Sequence, residues 1–253
     1  MYDNDHEPKW ISNMYSESNH TDKITIVSFN IEKSREIDLA ILELNLNIHT
    51  KDSDIILLQE MDEEGVIQIA EFFKLNYIYY PFSRELKTQS NFGNAILSRY
   101  KIKAEEKLIL PHYSQKNRLR AVTKCSITIN NKSLLLYSIH QSTVSLKKSK
   151  RADQLETVLS DINTERENYN QVIVGGDFNT LFKKDLKSTI TLFEELGFKF
   201  ATENIGHTSA ALFNIVKPKN DHIFTKSGKV INSGKLQDSK SSDHLPIFIE
   251  LKI

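Results

Sequence analysis

The fold of this chain is decided by the stretch Val172-Ile-Val-Gly-Gly-Asp-Phe-Asn-Thr180. A run of β-branched residues ends in two glycines, and then a carboxylate (Asp177) and an amide (Asn179) follow two positions apart. Such a run predicts a strand that is buried on both faces, and the glycines permit a sharp turn or a close backbone approach. Taken alone, Asp177 has a structural interpretation as well, as an acid that caps a turn.

Six further polar residues stand at the ends of other strand-like runs. The residues that follow the C-terminal end of a run, as Asp177 does, are Asn30, Glu60 and His140. The residues that precede the start of a run are Asp221, Asp243 and His244. If the last strands run antiparallel to the earlier ones, all seven side chains meet at one rim. Convergent polar groups from separate strands are what a catalytic pocket requires.

Strand and helix patterns fill the chain without a linker that would divide it. Runs rich in Ile, Val, Leu, Tyr and Phe, several of which alternate, predict ten strands, at residues 24–29, 54–58, 77–80, 94–97, 121–129, 133–139, 171–174, 222–225, 229–236 and 245–251. Helical periodicity predicts four helices, at residues 37–48, 63–75, 147–167 and 185–196. Short connections such as Ile129-Asn130-Asn131-Lys132 predict hairpins. The pattern therefore predicts an α/β fold in which two mixed sheets pack face to face with helices outside.

Composition limits the other properties of the protein. Of 253 residues, 33 are Lys or Arg and 33 are Asp or Glu, so no global positive field favours nucleic acid. The single Cys125 excludes a disulfide framework. The sequence has no apolar run of the roughly 18 residues that a membrane span needs. An anionic substrate must therefore be held locally, by a metal or a small cationic pocket.

The first 22 residues differ from the rest of the chain. They are polar and lack the apolar core of a signal peptide. We expect residues 1–22 to form a flexible tail, with anchoring by Trp10 as the alternative, and residues 23–253 to form a single domain. We also expect a cytoplasmic monomer.

The polar residue set indicates a chemistry. Carboxylates and amides without cysteine suit Mg²⁺, with Mn²⁺ as a possible substitute, rather than zinc. A divalent cation also neutralises clustered acids. The histidines supply a proton, or a donor aimed at charge that grows on a phosphoryl oxygen. This is the equipment for metal-assisted attack of water on a phosphate ester.

Seven short motifs in order resemble the endonuclease/exonuclease/phosphatase (DNase I-like) superfamily. They are Ser28-Phe29-Asn30, Leu58-Gln59-Glu60, Gly93-Asn94-Ala95-Ile96-Leu97-Ser98-Arg99, Ser138-Ile139-His140, Gly175-Gly176-Asp177-Phe178-Asn179, Asp221-His222-Ile223-Phe224 and Ser242-Asp243-His244. The resemblance covers roughly residues 23–253 and implies a four-layered α/β sandwich. It also implies a hydrolase, a nuclease or phosphatase in the broad sense, that depends on a divalent metal.

The resemblance further implies a role for each residue. The implied metal ligands are Glu60, Asn30 and Asp243. Asp177 would align or deprotonate the attacking water, and His244, oriented by Asp221, would stabilise the charge of the transition state. Asn179 would hold the water or a phosphoryl oxygen, His140 would be a second donor to the phosphate, and Asn94 would shape the substrate pocket.

Three functions remain open at this point. The first is a Mg²⁺-dependent phosphodiesterase or nuclease that acts on nucleic acid or a small diester. The second is a phospholipid-directed enzyme, sphingomyelinase-like or a phosphoinositide phosphatase. The loop from His207 to Asn220 has apolar residues beside lysines, which fit contact with a base or a lipid and fit ordinary packing of a long connection equally well. The third is a non-catalytic binding module with the same fold.

The third helix begins with four basic residues, Lys147, Lys148, Lys150 and Arg151. They are candidates for steering an anion, although a solvated first turn is favoured.

Overall fold

The structure is a computed structural model that describes residues 2–3, 9–15, 22–210 and 216–253. In chain order its strands are β1 (Tyr2–Asp3), β2 (Trp10–Ser12), β3 (Lys23–Asn30), β4 (Ile55–Met61), β5 (Asn76–Glu85), β6 (Asn91–Ser98), β7 (Lys103–Ser114), β8 (Arg118–Ile129), β9 (Lys132–His140), β10 (Gln171–Asp177), β11 (Lys199–Phe200), β12 (Asp221–Lys226), β13 (Lys229–Lys235) and β14 (Ile247–Lys252). The helices are α1 (Ile37–Leu46), α2 (Glu63–Phe73), α3 (Lys148–Glu165) and α4 (Lys183–Glu195).

The strands form two mixed sheets. The first has the order β1-β5-β6-β4-β3-β14-β13, with β2 also paired to β5, and the second has the order β11-β12-β10-β9-β8-β7. In the first sheet β3 and β4 are parallel and β14 is antiparallel to β3. In the second sheet β9 and β10 are parallel and β12 is antiparallel to β10. The late strands β12 and β14 therefore run against the early strands beside them, which meets the condition for a shared rim.

The core consists of three apolar layers between the four structural layers. Ile26 and Leu57 of the first sheet share a cluster with Leu136 and Ile173 of the second, which places this cluster between the sheets. The other face of the first sheet packs on α1 and α2, and the other face of the second packs on α3 and α4. The central strands are thus buried on both faces, which explains why their sequences are almost continuously apolar.

The predicted fold class, an α/β four-layered sandwich, is confirmed by this architecture. All ten predicted strands and all four predicted helices are present, with ends shifted by a few residues. Asn130 and Asn131 both have positive φ, of 50° and 62°, which is the geometry of a tight hairpin turn. No helix among the described residues combines the length and the apolar character needed to cross a bilayer.

Four strands were missed by the sequence analysis: β1, β2, β7 and β11. In the leader, the described residues 2–3 and 10–12 pair with β5, and the ring of Trp10 lies 5.6 Å from that of Tyr79. These residues are therefore attached to the sheet, as the alternative of anchoring by Trp10 expected. The rest of the predicted tail, including His6 and His20, lies outside the described residues. The division into a tail and one domain stays a prediction.

The topology brings the seven polar strand ends to one rim. Asn30, His140 and Asp177 are the last residues of β3, β9 and β10, and Asp221 is the first residue of β12. Asp177 pairs in register with His140 on one side and with Asp221 on the other. The polar set therefore converges because adjacent strands end at the same level.

Gly176 allows β10 to end in this position. Its φ is +145°, and a Cβ at this residue would lie 2.0 Å from the carbonyl oxygen of Ile139 in the neighbouring β9. At Gly175 a Cβ would instead meet a methyl group of Leu57 at 2.6 Å. A side-chain methyl group can move, whereas a paired strand backbone cannot.

We expect Gly176→Ala to lower the free energy of unfolding by about 3 kcal/mol, because the substitution adds backbone strain to a clash with main chain. The matched variant Gly175→Ala should cost about 1 kcal/mol, the lower end of the range for overpacking. Urea unfolding followed by circular dichroism measures both variants. Equal losses of stability would show that the β9–β10 contact does not require glycine at Gly176.

Candidate active site

The rim surrounds a pocket of about 270 Å³. Six of the predicted residues line it: Glu60, His140, Asp177, Asn179, Asp243 and His244. Residues that the sequence analysis did not single out add to the wall, among them Thr143, Val144 and Leu181, and Asn220 joins them from the end of the loop that begins at His207. The pocket is thus polar at its floor, with apolar side chains on part of its wall.

Asp177 lies at the centre of the floor and is almost fully buried, with 2% of its surface exposed. Its Oδ2 accepts hydrogen bonds from the side-chain amides of Asn30 (3.1 Å) and Asn179 (3.2 Å). Its Oδ1 accepts from the backbone N–H of Asn179 at 2.8 Å. These donors fix the orientation of the carboxylate.

Burial raises the pKa of Asp177 above its usual range, and the neighbouring acids Asp221 and Glu60 raise it further. The charge of His244 and the hydrogen bond from the backbone of Asn179 act in the opposite direction. The site therefore holds an acid whose charge is costly without a nearby cation.

His244 and Asp221 form a buried acid–imidazole pair. Nδ1 of His244 lies 2.9 Å and 3.1 Å from the two carboxylate oxygens of Asp221. Burial alone would lower the pKa of His244, but the carboxylates of Asp221 and Asp177 raise it well above its ordinary value. His244 is accordingly an imidazolium at neutral pH, with Nδ1–H donated to Asp221 and Nε2 facing Asp177 at 3.9 Å.

Ser242 explains how the chain segment before β14 is held at the rim. Its hydroxyl donates to the backbone carbonyl of Asn30 at 2.7 Å and accepts from the backbone N–H of His244 at 3.1 Å. Asp243, between Ser242 and His244 in the chain, lines the pocket, and 52% of its side chain is exposed. The Ser-Asp-His motif thus attaches the last strand to the end of the first long one.

His140 has the opposite protonation state. Its Nδ1 accepts a hydrogen bond of 2.9 Å from the buried guanidinium of Arg120. Burial and the positive charges of Arg120, Arg118 and His244 keep the pKa of His140 well below its ordinary value. The ring is therefore neutral with its proton on Nε2, which lies 3.5 Å from Asp177 Oδ2 and 3.6 Å from Glu60 Oε1.

Glu60 reaches the pocket through an irregularity in β4. The pairing of β4 with β6 shifts register between Leu58 and Met61, and Glu60 adopts a left-handed conformation with φ of 59°. A non-glycine residue in this region costs about 1–2 kcal/mol. Strain of this kind is typical of functional sites, where the surrounding structure holds a side chain in place.

The chemistry of the donors fits a hard divalent cation. Carboxylate oxygens of Glu60 and Asp243 line the same pocket as the buried Asp177, and this set suits Mg²⁺ or Mn²⁺. The amide oxygen of Asn30 accepts from the backbone of Glu32, which orients that side chain. One further group, Asp177, Asp221 and His244, has ligand atoms within 4.8 Å of one another. The carboxylates of this group raise the pKa of His244, which favours an acid–imidazolium pair as long as no cation displaces the proton.

Asn94 is not brought to the pocket, although the sequence predicted that it shapes it. It is fully buried, and its amide donates to the carbonyls of Ala121 (3.0 Å) and Ser138 (3.2 Å). These acceptors belong to the second sheet, whereas Asn94 belongs to the first. In the structure Asn94 forms a polar link between the sheets, and its role in shaping the substrate pocket stays a prediction.

Two arginines were not recognised from the sequence as part of the site. Arg120 precedes the predicted limits of its strand, and Arg151 was placed in a solvated first turn of the third helix. Both are buried. A charged residue within an apolar strand is a signal that could have identified Arg120.

Of the loop from His207 to Asn220, residues 211–215 lie outside the described part of the chain. Lys219 packs over the ring of Phe200, at 4.4 Å from its centroid.

Comparisons with known proteins agree with this geometry. The family model described as "Endonuclease/Exonuclease/phosphatase family" matches residues 27–244. Among the curated proteins, none matches the chain.

Solved structures of three relatives share the fold. An endonuclease/exonuclease/phosphatase from Bacteroides vulgatus has a TM-score of 0.72 at 16% identity, covering 91% of this chain and 99% of that one. D. rerio TDP2 complexed with single strand DNA product has a TM-score of 0.70 at 19% identity, covering 91% and 99%. The mannosyl-6-phosphatase Bt3783 of Bacteroides thetaiotaomicron has a TM-score of 0.69 at 17% identity, covering 91% and 100%.

We expect Arg120→Met to remove the preference of His140 for the tautomer protonated at Nε2, because Nδ1 then loses its hydrogen-bond donor. In ¹⁵N NMR spectra that correlate the ring nitrogens with the ring protons, the native protein should show His140 neutral and protonated at Nε2. The variant should show a mixture of the two tautomers. Arg118→Met is the control for the lost charge: it removes a second positive charge near His140 but leaves the hydrogen bond from Arg120 to Nδ1, and should keep the Nε2 tautomer. An unchanged His140 signal in Arg120→Met would contradict the assignment.

Proposed function

Because the chain belongs to the endonuclease/exonuclease/phosphatase family, we propose that it is a Mg²⁺-dependent phosphoesterase, and specifically a phosphodiesterase, that hydrolyses its substrate by attack of water. The observation that carries the proposal is the buried carboxylate of Asp177 between the two imidazoles. The Nε2 atoms of His140 and His244 lie 3.5 Å and 3.9 Å from its Oδ2. An acceptor for a water proton and two donors for a phosphoryl oxygen thus share one pocket.

Each side chain of the floor has a task in this proposal. Asp177 orients the attacking water and accepts its proton, and Asn179 holds the water or a phosphoryl oxygen. His244, oriented by Asp221, donates from Nε2 to the phosphoryl oxygen on which negative charge grows. His140 donates a second hydrogen bond from its own Nε2. Fixed donors that need no reorganisation are an effective way to stabilise such charge.

Glu60, Asn30 and Asp243 are the side chains that would hold the divalent cation. When bound, it would neutralise the surrounding carboxylates and polarise the phosphate. Family membership supports this assignment, because related phosphoesterases generally depend on a divalent metal. Mn²⁺ is a possible substitute, since the same oxygen donors suit both ions.

The related structures support a phosphate ester as substrate without selecting one. One relative is described as complexed with a single strand DNA product, and another as a mannosyl-6-phosphatase. The balanced net charge of the chain argues for local recognition of one diester, in nucleic acid or a small molecule, rather than avid binding of a long polyanion.

A phospholipid substrate is the second candidate, and one observation favours it. Val144 is 43% exposed and lines the pocket together with Leu181. Apolar side chains beside a phosphate site can contact an acyl chain, although a nucleobase would use the same surface.

A substrate panel with purified protein and Mg²⁺ tests the proposal. The panel contains oligonucleotides, supercoiled plasmid, a chromogenic phosphodiester, a phosphomonoester, sphingomyelin and phosphoinositides. We expect Asp177→Asn to lower kcat about 1000-fold and His244→Ala about 100-fold, the usual ranges for a lost general base and a lost electrostatic donor. Hydrolysis of lipid alone would select the second candidate, and no hydrolysis with any divalent ion would favour a non-catalytic binding module.

The controls for this panel are Asp52→Asn and His49→Ala. Both residues are exposed and precede the start of β4, whereas Glu60 stands near its end. Both variants should keep the native kcat. If Asp177→Asn and His244→Ala behave like these controls, the assignment of the site fails.

Metal dependence gives a separate prediction. Glu60→Gln should raise the Mg²⁺ concentration for half-maximal activity about 10-fold or more, because it replaces a charged oxygen ligand by a neutral one. The urea unfolding midpoint should stay close to that of the native protein. Glu64→Gln, at an exposed position of α2, is the matched control. An unchanged Mg²⁺ titration would remove Glu60 from the metal ligands.

A further inference from the structure

The turn that carries Asn179 is tied to the third helix by a buried arginine. One terminal nitrogen of the Arg151 guanidinium (Nη2) donates to the backbone carbonyl of Asn179 at 3.0 Å. The other (Nη1) lies 3.3 Å from Oδ2 of Asp185 at the start of α4. Only 9% of the Arg151 side chain is exposed. The guanidinium thus connects α3, α4 and the turn after β10.

A second set of contacts closes a ring around the same turn. The backbone carbonyl of Arg151 accepts from the side chain of Gln141 at 2.6 Å. The backbone carbonyl of Gln141 accepts from the side-chain amide of Asn179 at 2.8 Å, and its N–H donates to the carbonyl of Asp177 at 2.9 Å. Arg151 is therefore connected to Asn179 directly through its side chain, and through its backbone by way of Gln141.

Asn179 depends on this support because of its own conformation. Its φ is 50°, in the left-handed region that asparagine tolerates but does not require. In this conformation its side chain reaches both Gln141 and Asp177 Oδ2. A change of backbone angle would turn the amide away from the carboxylate.

We propose that Arg151 is a positioning residue for the reaction: through the carbonyl of Asn179 it holds the Asn179 amide against Asp177, and so fixes the carboxylate that orients the attacking water. The inference rests on the proposed function. It needs a planar guanidinium, because one side chain must donate to a carbonyl and to a carboxylate in different directions at once. A lysine at this position keeps the charge near Asp185 but has no such fork.

Arg151→Lys is the test variant. We expect kcat to fall about 10-fold or more, as for small misplacements of reacting groups, while KM stays within about twofold of the native value. Asp185→Asn, which keeps Arg151 but weakens its anchor, should lower kcat in the same direction and less. Lys187→Ala, at an exposed position of the same helix α4, is the matched control. It should leave kcat unchanged.

A double-mutant cycle with Asn179→Ala separates positioning from a general loss of stability. If Arg151 acts through Asn179, Arg151→Lys should lower kcat little further once Asn179 is alanine. Independent multiplication of the two single effects, or a native kcat for Arg151→Lys, would overturn the inference.

Hydrogen–deuterium exchange provides a readout that does not need activity. In Arg151→Lys, amide exchange in residues 177–181 should accelerate while exchange in the body of α3 stays native. Native exchange in the turn, or acceleration spread over the whole of α3, would overturn the inference. A native protein that hydrolyses nothing would refute the proposed function instead, and the exchange result would still decide whether Arg151 holds the turn.

Discussion

The hydrogen bond from the amide of Asn30 to the carboxylate of Asp177 joins the rims of the two sheets, and the pocket depends on it. Asn30 ends β3 in the first sheet, and Asp177 ends β10 in the second. A polar contact of this kind forms only if the sheets pack face to face and their strands end at the same level. The apolar cluster between the sheets sets the first condition, and the parallel pairs β3–β4 and β9–β10 set the second. Core packing and site geometry are therefore consequences of one topology.

Much of the fold could be predicted because the central strands are covered on both faces. Continuous apolar runs such as residues 55–58 and 172–174 identify strands of this kind with little ambiguity. The missed strand β7 shows where the signal fails. It lies at the edge of the second sheet, and most of its side chains are exposed or half-buried, with charges among them. An edge strand needs no apolar alternation, since its partner's backbone holds it in place.

The sequence predicted the acids, amides and histidines of the site because they stand at strand ends. It did not predict the arginines whose hydrogen-bond partners lie far away in the sequence. Arg120 and Arg151 are separated from their acceptors His140 and Asn179 by 20 and 28 residues. Nothing in the local sequence indicates such a pairing, and both were outside the predicted set for that reason. Asn94 illustrates the reverse case. Its position at a strand end resembled that of Asn30, but the opposite sheet supplies acceptors that keep it in the core.

The two histidines of the pocket carry different charges although they face the same carboxylate oxygen. The difference comes from the neighbour behind each ring, which is the guanidinium of Arg120 for His140 and the carboxylate of Asp221 for His244. A positive neighbour keeps one imidazole neutral, and a negative neighbour keeps the other protonated. In both cases Nδ1 is occupied by that neighbour, so the proton on Nε2 points toward the pocket. An anion that enters therefore meets two N–H donors but only one full positive charge. This arrangement provides directed hydrogen bonds without the repulsion that two adjacent imidazolium rings would create, and it leaves the remaining negative charge of the floor to be balanced by a cation.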